Sequence, residues 1–382
     1  MNFRNPLCAA LLAALFMSAV PANAEPPQTE FAFNLYRTIV KDTPNENVMI
    51  SPYGVQHLLD LARTGADGKT KTEIEQVLGY TELVKWESLA DGTLTTAAAL
   101  WVQKQYPILP EFLQTAREKF GSSIEQADFR GNPKEAVKLI NAWGAEKTKG
   151  KIPTILDDID EETRLVLINA IHFAADWKVP FEGWLTREND FTLQDGTKVK
   201  TEFMQAFDEQ KMYSDEGDTL GLGLRYKDRN YAMVLLLPKQ PSNFAKWESA
   251  MTLQKLNLIR RSMKETQVNV RMPKFKMENS FELTKSLKQL GMTSAFALPA
   301  ADFSKMTTAE KLFVSTVLQK TYIRVDELGT EAAAVTAMAA ARGMLMERPR
   351  PKEFYADRPF LYAIFKGNTI LFLGRFVKPI VE

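Results

Sequence analysis

Of the two side chains most used for nucleophilic, redox and zinc chemistry, the 382 residues carry very few: one cysteine, Cys8, and two histidines, His57 and His172. No HExxH, CxxC or GxSxG occurs, which removes the zincin, dithiol and nucleophile-elbow patterns. Charge of one sign is missing too. Forty-eight Lys and Arg against 47 Asp and Glu leave a formal +1, so no basic or acidic field recommends a nucleic acid or an acidic membrane as partner. After residue 24 no run reaches 18 apolar residues, so no membrane span is expected. A Ser–His–Asp site is not excluded by counting, because triads assemble from distant positions. His172, however, lies in the apolar run "INAIHF" and His57 on an amphipathic pattern, and both read as structural histidines. No catalytic residue, metal ligand or cofactor is assigned. "TGADGKT" has two residues between Gly65 and Gly68 where a phosphate loop needs four, and reads as a turn between helices. "LGLGLRY" lacks the third glycine of a dinucleotide fingerprint and reads as strand.

What is present begins with a leader. "MNFR", then "PLCAALLAALFMSAV", then "PANA" have the positive start, apolar centre and small-residue cleavage site of a secretory signal peptide. Residues 1–24 are therefore expected to be removed after Ala24, placing the protein in the periplasm or outside the cell. The mature chain would contain no cysteine and would fold by core burial without disulfides. Its composition, 45% hydrophobic and 25% charged, is that of a soluble globular protein. No repeat, long linker or composition break divides it, so 25–382 reads as one domain.

Hydrophobic spacing places helices early. "TEFAFNLYRTIV", "VQHLLDLARTGA" and "KTKTEIEQVLGY" repeat at helical period, the last stopping at Gly79. Asn132 and Pro133 form a cap and first turn for "NPKEAVKLINAWGAEK". Strands dominate later. "RLVLINAIHF" is apolar enough to be buried on both faces. Asp195-Gly196 marks a hairpin, "YAMVLLLPK" a buried strand ended by proline, and Gly367-Asn368 the turn between two C-terminal strands. Alternation in "TQVNVRMPKFKMENSF" gives way to the helix "ELTKSLKQLG". Segregated helices and mostly antiparallel late strands make the class α+β.

One segment fits none of this. "ELGTEAAAVTAMAAAR", residues 327–342, has the composition of an excellent helix, yet follows the strand-like "TYIRVDE" and runs into the proline-rich "ERPRP". At period two, Thr330, Ala332, Ala334, Thr336, Met338 and Ala340 would share one face and Glu331, Ala333, Val335, Ala337, Ala339 and Ala341 the other. Small side chains of this kind could enter a preformed sheet with little overpacking. Gly329 would let the backbone bend at the entrance.

These residues carry a resemblance. "VDELGTEAAAVTA" resembles the reactive-loop hinge of inhibitory serpins through Glu327, Gly329, Thr330, Glu331, Ala332, Ala333, Ala334 and Thr336. "MISPYGV", "LINAIHFAADWKVPF" with Asn169, Phe173, Trp177, Pro180 and Phe181, "LLLPKQPSNFA", "VRMPKFKMENSFEL", "LGMTSAF", "ADFSKM", "FYADRPFLYAI" and "FLGRFVKP" resemble further serpin blocks in the family's order. Together they span about residues 29–382. The chain departs from the family pattern at Gln319, where many members have a histidine, at Gly54, where serine is frequent, and at Ala174 and Ala175, where Lys-Gly is usual. With Ser51 and Asn169, the positions Gly54 and Gln319 form the family's "shutter", which controls opening of the sheet.

The resemblance implies a serpin fold: helices around a large central mixed sheet with smaller sheets, and an exposed reactive loop over about residues 327–353. It implies an inhibitor, presumed monomeric, that a serine or cysteine protease cleaves as a substrate and that traps the protease covalently when the hinge inserts. Counting from the hinge puts the cleaved bond at Gly343-Met344, with Arg342, Leu345 and Met346 as alternatives. Arg342 would suit trypsin-like, and Met344 or Leu345 chymotrypsin-like or elastase-like proteases. A non-inhibitory serpin with a chaperone, carrier or storage role, and a secreted hydrolase using His57 or His172, are the competing readings.

Overall fold

The computed structural model describes residues 27–82, 84, 86, 93–308, 312–330 and 350–380. The leader, the hinge positions Glu331, Ala332, Ala333, Ala334 and Thr336, and the scissile candidates Arg342 to Met346 lie outside the described residues.

The class is α+β. Helices α1 (Phe31–Asp42), α2 (Pro52–Gly65) and α3 (Gly68–Leu78) precede most of the strands, and strand β1 (Val48–Ile50) lies between the first two. Then come β2 (Leu94–Gln103), α4 (Pro110–Thr115), β3 (Ser123–Ala127), α5 (Pro133–Lys147), β4 (Leu165–Phe173) and β5 (Ala175–Asp176). The strand-rich stretch runs β6 (Arg187–Thr192), β7 (Lys198–Glu216), β8 (Thr219–Arg225) and β9 (Tyr231–Pro238). After α6 (Phe244–Ser249) and α7 (Leu253–Ser262) follow β10 (Lys264–Pro273), β11 (Phe275–Glu282), α8 (Thr284–Gln289) and β12 (Thr316–Val325). The chain closes with β13 (Gly329–Thr330), β14 (Lys352–Tyr355), β15 (Phe360–Lys366) and β16 (Thr369–Phe376).

Local chemistry accounts for the boundaries. Ser51 caps α2 by accepting from Gly54 N, with Pro52 in its first turn. Asn132 does the same for α5 from Glu135 N. Gly79 ends α3 at φ 79°, a left-handed value that glycine takes without penalty. Gly196, at φ 88°, turns β6 into β7. The phosphate-loop look-alike is the short connection from α2 to α3.

One sheet has seven strands, ordered β3-β2-β4-β12-β13-β5 with β11 pairing β12; the other has nine, ordered β1-β16-β15-β9-β8-β7-β10-β14 with β6 pairing β7. The 19-residue β7 ties the nine-stranded network together, pairing β6 with its first part and β8 with its last. The main core contains Leu165, Leu167 and Ile171 of β4 together with Leu235, Phe372 and Leu373 of the other sheet. A second cluster covers the opposite face of β4, where Ile140 and Trp143 of α5 pack on Trp101, Val166 and Ile168. Every residue of β4 is buried as a result, which is why its sequence is almost wholly apolar.

Candidate functional site

The site is a seam. Strands β4 and β12 lie side by side and parallel, pairing from Val166↔Thr316 to His172↔Tyr322. At its upper end β5 prolongs β4, and the chain leaving β12 turns back as β13. Thr330 pairs antiparallel with Val325 of β12 and with Ala175 of β5, while Gly329 faces Asp176. The hinge therefore already starts as a strand between the two sides of the seam, and Thr330 is fully buried there.

Asp326 sets the reversal. Its carboxylate Oδ1 accepts from Leu328 N at 3.0 Å and Gly329 N at 3.3 Å, and its own N–H donates to Gly329 O at 2.9 Å. Gly329 is needed for space and not for the bending freedom expected from the sequence. Its φ is not left-handed, but a Cβ there would collide with the Ala175 carbonyl oxygen and stand 2.6 Å from Asp176 Cα.

Aromatic and polar partners hold this end. Trp177 stacks on Tyr226 with centroids 4.5 Å apart. Its indole donates to Asp326 O at 3.0 Å and its backbone N–H to Leu328 O at 2.8 Å. The Tyr226 hydroxyl lies 2.8 Å from Thr330 Oγ1, both buried. Phe181 N donates to Glu327 O at 2.8 Å. The Glu327 carboxylate accepts from Thr186 Oγ1 at 2.7 Å and pairs with Lys274 at 3.4 Å. Lys274 also pairs with Glu202 at 3.2 Å. Burial would push the Glu327 carboxyl up, but the bonds from Thr186, the backbone and Lys274 outweigh it and hold the group below its ordinary value.

The middle of the seam is closed differently. The shutter positions Ser51, Gly54, Asn169 and Gln319 come together there, from α2, β4 and β12. Gln319 Oε1 accepts from Ser51 N at 2.9 Å. Gln319 Nε2 donates to Ser51 O at 2.9 Å and to Asn169 Oδ1 at 3.0 Å. One buried amide thus joins β12 to both α2 and β4. Gly54 fits the same arrangement, because a Cβ there would collide with Asn169 Oδ1. Glycine at 54 and glutamine at 319 are thus mutually compatible, both meeting the one Asn169 side chain.

Both histidines are buried. His57 sits among the rings of Tyr53, Trp86 and Phe120. Its Nε2, 3.0 Å from Phe120 O, is the nitrogen placed to carry the proton. Its Nδ1 finds no partner among the described residues, so no carboxylate orients the ring. Burial lowers its pKa to about 4. His172 is buried with its ring 5.4 Å from that of Tyr322.

Sequence reasoning missed Asp326, Tyr226, Thr186 and Lys274. They come from four separate segments, and no spacing between them announces that they meet at the hinge.

The profile of the serpin (serine protease inhibitor) family matches residues 26–379. Leukocyte elastase inhibitor of Bos taurus is 35% identical over 377 residues, covering 92% of this chain and 98% of that protein. Serpin48 of the insect Tenebrio molitor superposes with a TM-score of 0.83 at 32% identity, covering 92% of this chain and 96% of the other. Human thyroxine-binding globulin, solved in complex with thyroxine, superposes at 0.82 and 28% identity, covering 92% and 97%. The seam, the hinge begun within it and these matches over nearly the whole length lead to one conclusion: the chain belongs to the serpin family.

Proposed function

We propose that this protein inhibits serine proteases as a suicide substrate. The observation that carries the reading is the start of β13, antiparallel between β12 and β5 at the upper end of the parallel β4–β12 seam. Continuing it downward would replace one parallel interface by two antiparallel ones, and parallel pairing is the weaker per residue. The intact chain is thus one strand short of a better sheet.

The protease nucleophile attacks the carbonyl of the reactive bond, Gly343-Met344 or a neighbour among Arg342, Leu345 and Met346. The C–N bond breaks, the new amine leaves with a proton, and an ester joins inhibitor to protease. Residues from Thr330 onward, freed at their far end, then enter the seam before water reaches the ester. Some 14 residues at ~3.3 Å each carry the protease about 45 Å. A displacement of its nucleophile by about 1 Å already costs roughly 100-fold in rate. Residues 1–24 direct export, and N-terminal sequencing of the secreted protein would show Glu25 first.

The experiment is incubation with trypsin, chymotrypsin and elastase, the last chosen because the bovine relative is named for inhibiting it. A band of added mass that survives SDS is expected, and loop-cleaved protein should melt well above intact protein. A clipped loop, no complex and equal melting would favour the carrier reading, to which the similarity to a thyroxine-binding globulin lends some support.

A further inference from the structure

A buried ion pair that the seam does not use lies on α2. Asp60 is fully buried, and Arg63, one turn further along, is 3% exposed. Arg63 Nη2 stands 2.7 Å from Asp60 Oδ1. Oδ1 nevertheless accepts no hydrogen bond among the described residues, so the contact is one of charge without alignment. Asp60 Oδ2 accepts two bonds, from Trp86 Nε1 at 2.9 Å and from the Tyr80 hydroxyl at 3.2 Å. Tyr80 and Trp86 belong to the chain that leaves α3, and both are buried. One carboxyl thus fastens that chain to α2.

Arg63 does not depend on Asp60. Its Nη2 donates to Glu82 O at 2.7 Å and its Nη1 to Tyr80 O at 3.4 Å, with Glu75 Oε1 at 3.6 Å. A guanidinium with two carbonyls and a second carboxylate keeps partners when Asp60 is neutral. The donors on Asp60 Oδ2 are themselves uncharged and serve a carboxylic acid as well as a carboxylate. Oδ1, which accepts nothing, is the oxygen that can hold a proton once Arg63 draws back onto its other partners.

A carboxylate taken out of water is costly unless both oxygens are filled. Burial here outweighs Arg63, Trp86 and Tyr80 and lifts the Asp60 carboxyl from its ordinary 3.8 to about 6. His57, one turn earlier on α2, is lowered to about 4 by its own burial and stays neutral around pH 6. Burial and Asp60 raise the Tyr80 hydroxyl, which keeps its proton. The remaining charged groups reach the pair from the Arg63 side. Glu75 and Lys71 of α3, Lys119 of residues 116–120 and Lys305 line with Arg63 a cavity of about 270 Å³.

We infer that Asp60 is a proton-controlled clasp: protonated, it holds the chain at Tyr80 and Trp86 firmly against α2, and ionised, it loosens that hold. The same helix starts at Ser51 and carries Gly54, which meet Gln319 and Asn169, so the proton is sensed on the element that floors the seam. The direction is opposite to that of Glu327. The folded Asp60 carboxyl titrates above the unfolded one, so its stabilisation is complete below about pH 4 and is lost as pH rises through about 6. The clasp stands whether or not the protein inhibits proteases.

The test is hydrogen–deuterium exchange of the full chain, corrected for the intrinsic pH dependence of exchange, with peptides of β15 and β16 as the reference for global opening. In wild type, peptides covering α2 from His57 onward and those ending at Trp86 should exchange about tenfold more slowly near pH 5 than near pH 7.5. Asp60→Asn is neutral at every pH and keeps an acceptor for Tyr80 and Trp86, so it should be slow throughout. Trp86→Phe removes a bond that favours the ionised form, and its transition should move to higher pH. His57→Gln should leave the transition in place. Wild-type exchange that is unchanged or faster in acid overturns the inference, as does a transition that survives in Asp60→Asn or vanishes in His57→Gln. Should Asp60→Asn fail to fold, the wild-type direction and the Trp86→Phe shift decide, and a Trp86→Phe transition at or below the wild-type pH overturns the clasp.

Discussion

The two closures of the β4–β12 seam use different chemistry. At the upper end, contacts from Trp177, Phe181, Thr186 and Tyr226 converge on residues 326–330; they grip the hinge itself. In the middle, Gln319 and Asn169 hold strand to strand, with the floor supplied by Ser51 of α2. The upper end already accommodates the first residues of a new strand. The middle excludes it, because an inserted strand must break the Gln319–Asn169 bond. On the proposed mechanism, opening would proceed from the hinge downward, and the buried amides would set the resistance it meets.

Thr330→Arg attacks the upper end and should have the largest effect. The residue is fully buried against Tyr226, and burying a guanidinium in place of a hydroxyl costs several kcal/mol. The variant should be cleaved as an ordinary substrate, read on the gel as clipped chain with almost no complex. Full trapping by Thr330→Arg would mean that insertion does not begin here.

The middle of the seam is tested next. Gln319→Ala strips Ser51 N and Asn169 Oδ1 of their bonds to Gln319 at buried positions, each worth about 1–3 kcal/mol when left unsatisfied, and leaves Ser51 O with Val55 N alone. A loss of roughly 2–4 kcal/mol in urea unfolding is expected, with faster uptake of an added hinge peptide. Gly54→Ser should destabilise alone by its collision with Asn169. Because residues 54 and 319 both touch Asn169, the pair Gly54→Ser with Gln319→His should lose less than the sum, by about 1 kcal/mol. Strict additivity would separate the two positions and dissolve the shutter as a unit.

Glu327→Gln should have the smallest effect, about 1 kcal/mol or less, since the Lys274–Glu327 pair is partly open to solvent and Lys274 keeps Glu202 as a partner. Its signature is pH dependence. The Glu327 carboxyl is lower in the fold than in the unfolded chain. Its stabilisation is present above the unfolded carboxylate range and is lost as pH falls through the folded value. Urea midpoints of wild type and Glu327→Gln should accordingly converge on acidification. Parallel curves would leave the carboxylate without a part in holding the hinge.

Much of this architecture could be read from the chain, for reasons particular residues make plain. β4 was legible because both faces are covered, one by α5 and one by the main core, and an all-apolar run follows. The start and stop of α2, α3 and α5 were legible because Ser51, Gly79 and Asn132 act on their own neighbours. Short helices such as α4 and α6, six residues each, carried too little pattern to stand out. The hinge positions from Glu331 on lie outside the described residues; the residues that hold Glu327, Gly329 and Thr330 were not legible in the sequence. Tyr226 follows a strand, Thr186 follows a turn and Lys274 separates two strands, and nothing local distinguishes them from other residues of their type. The role of Gly329 was misread because glycine serves both freedom and clearance, and only the neighbouring Ala175 carbonyl tells which.

The sequence by itself determined the longer helices and strands, because burial periodicity and capping are local properties of the chain; its ordered motifs carried the resemblance to the serpin family and marked the segment of small side chains that the proposed insertion would use. Only the tertiary structure decided which residues meet the chain at Thr330 and what closes the seam below it. Hydrogen bonds such as Tyr226 to Thr330 and Gln319 to Asn169 join residues 104 and 150 positions apart, and a distance of that kind is fixed by the packing of two sheets, not by any pattern along one strand.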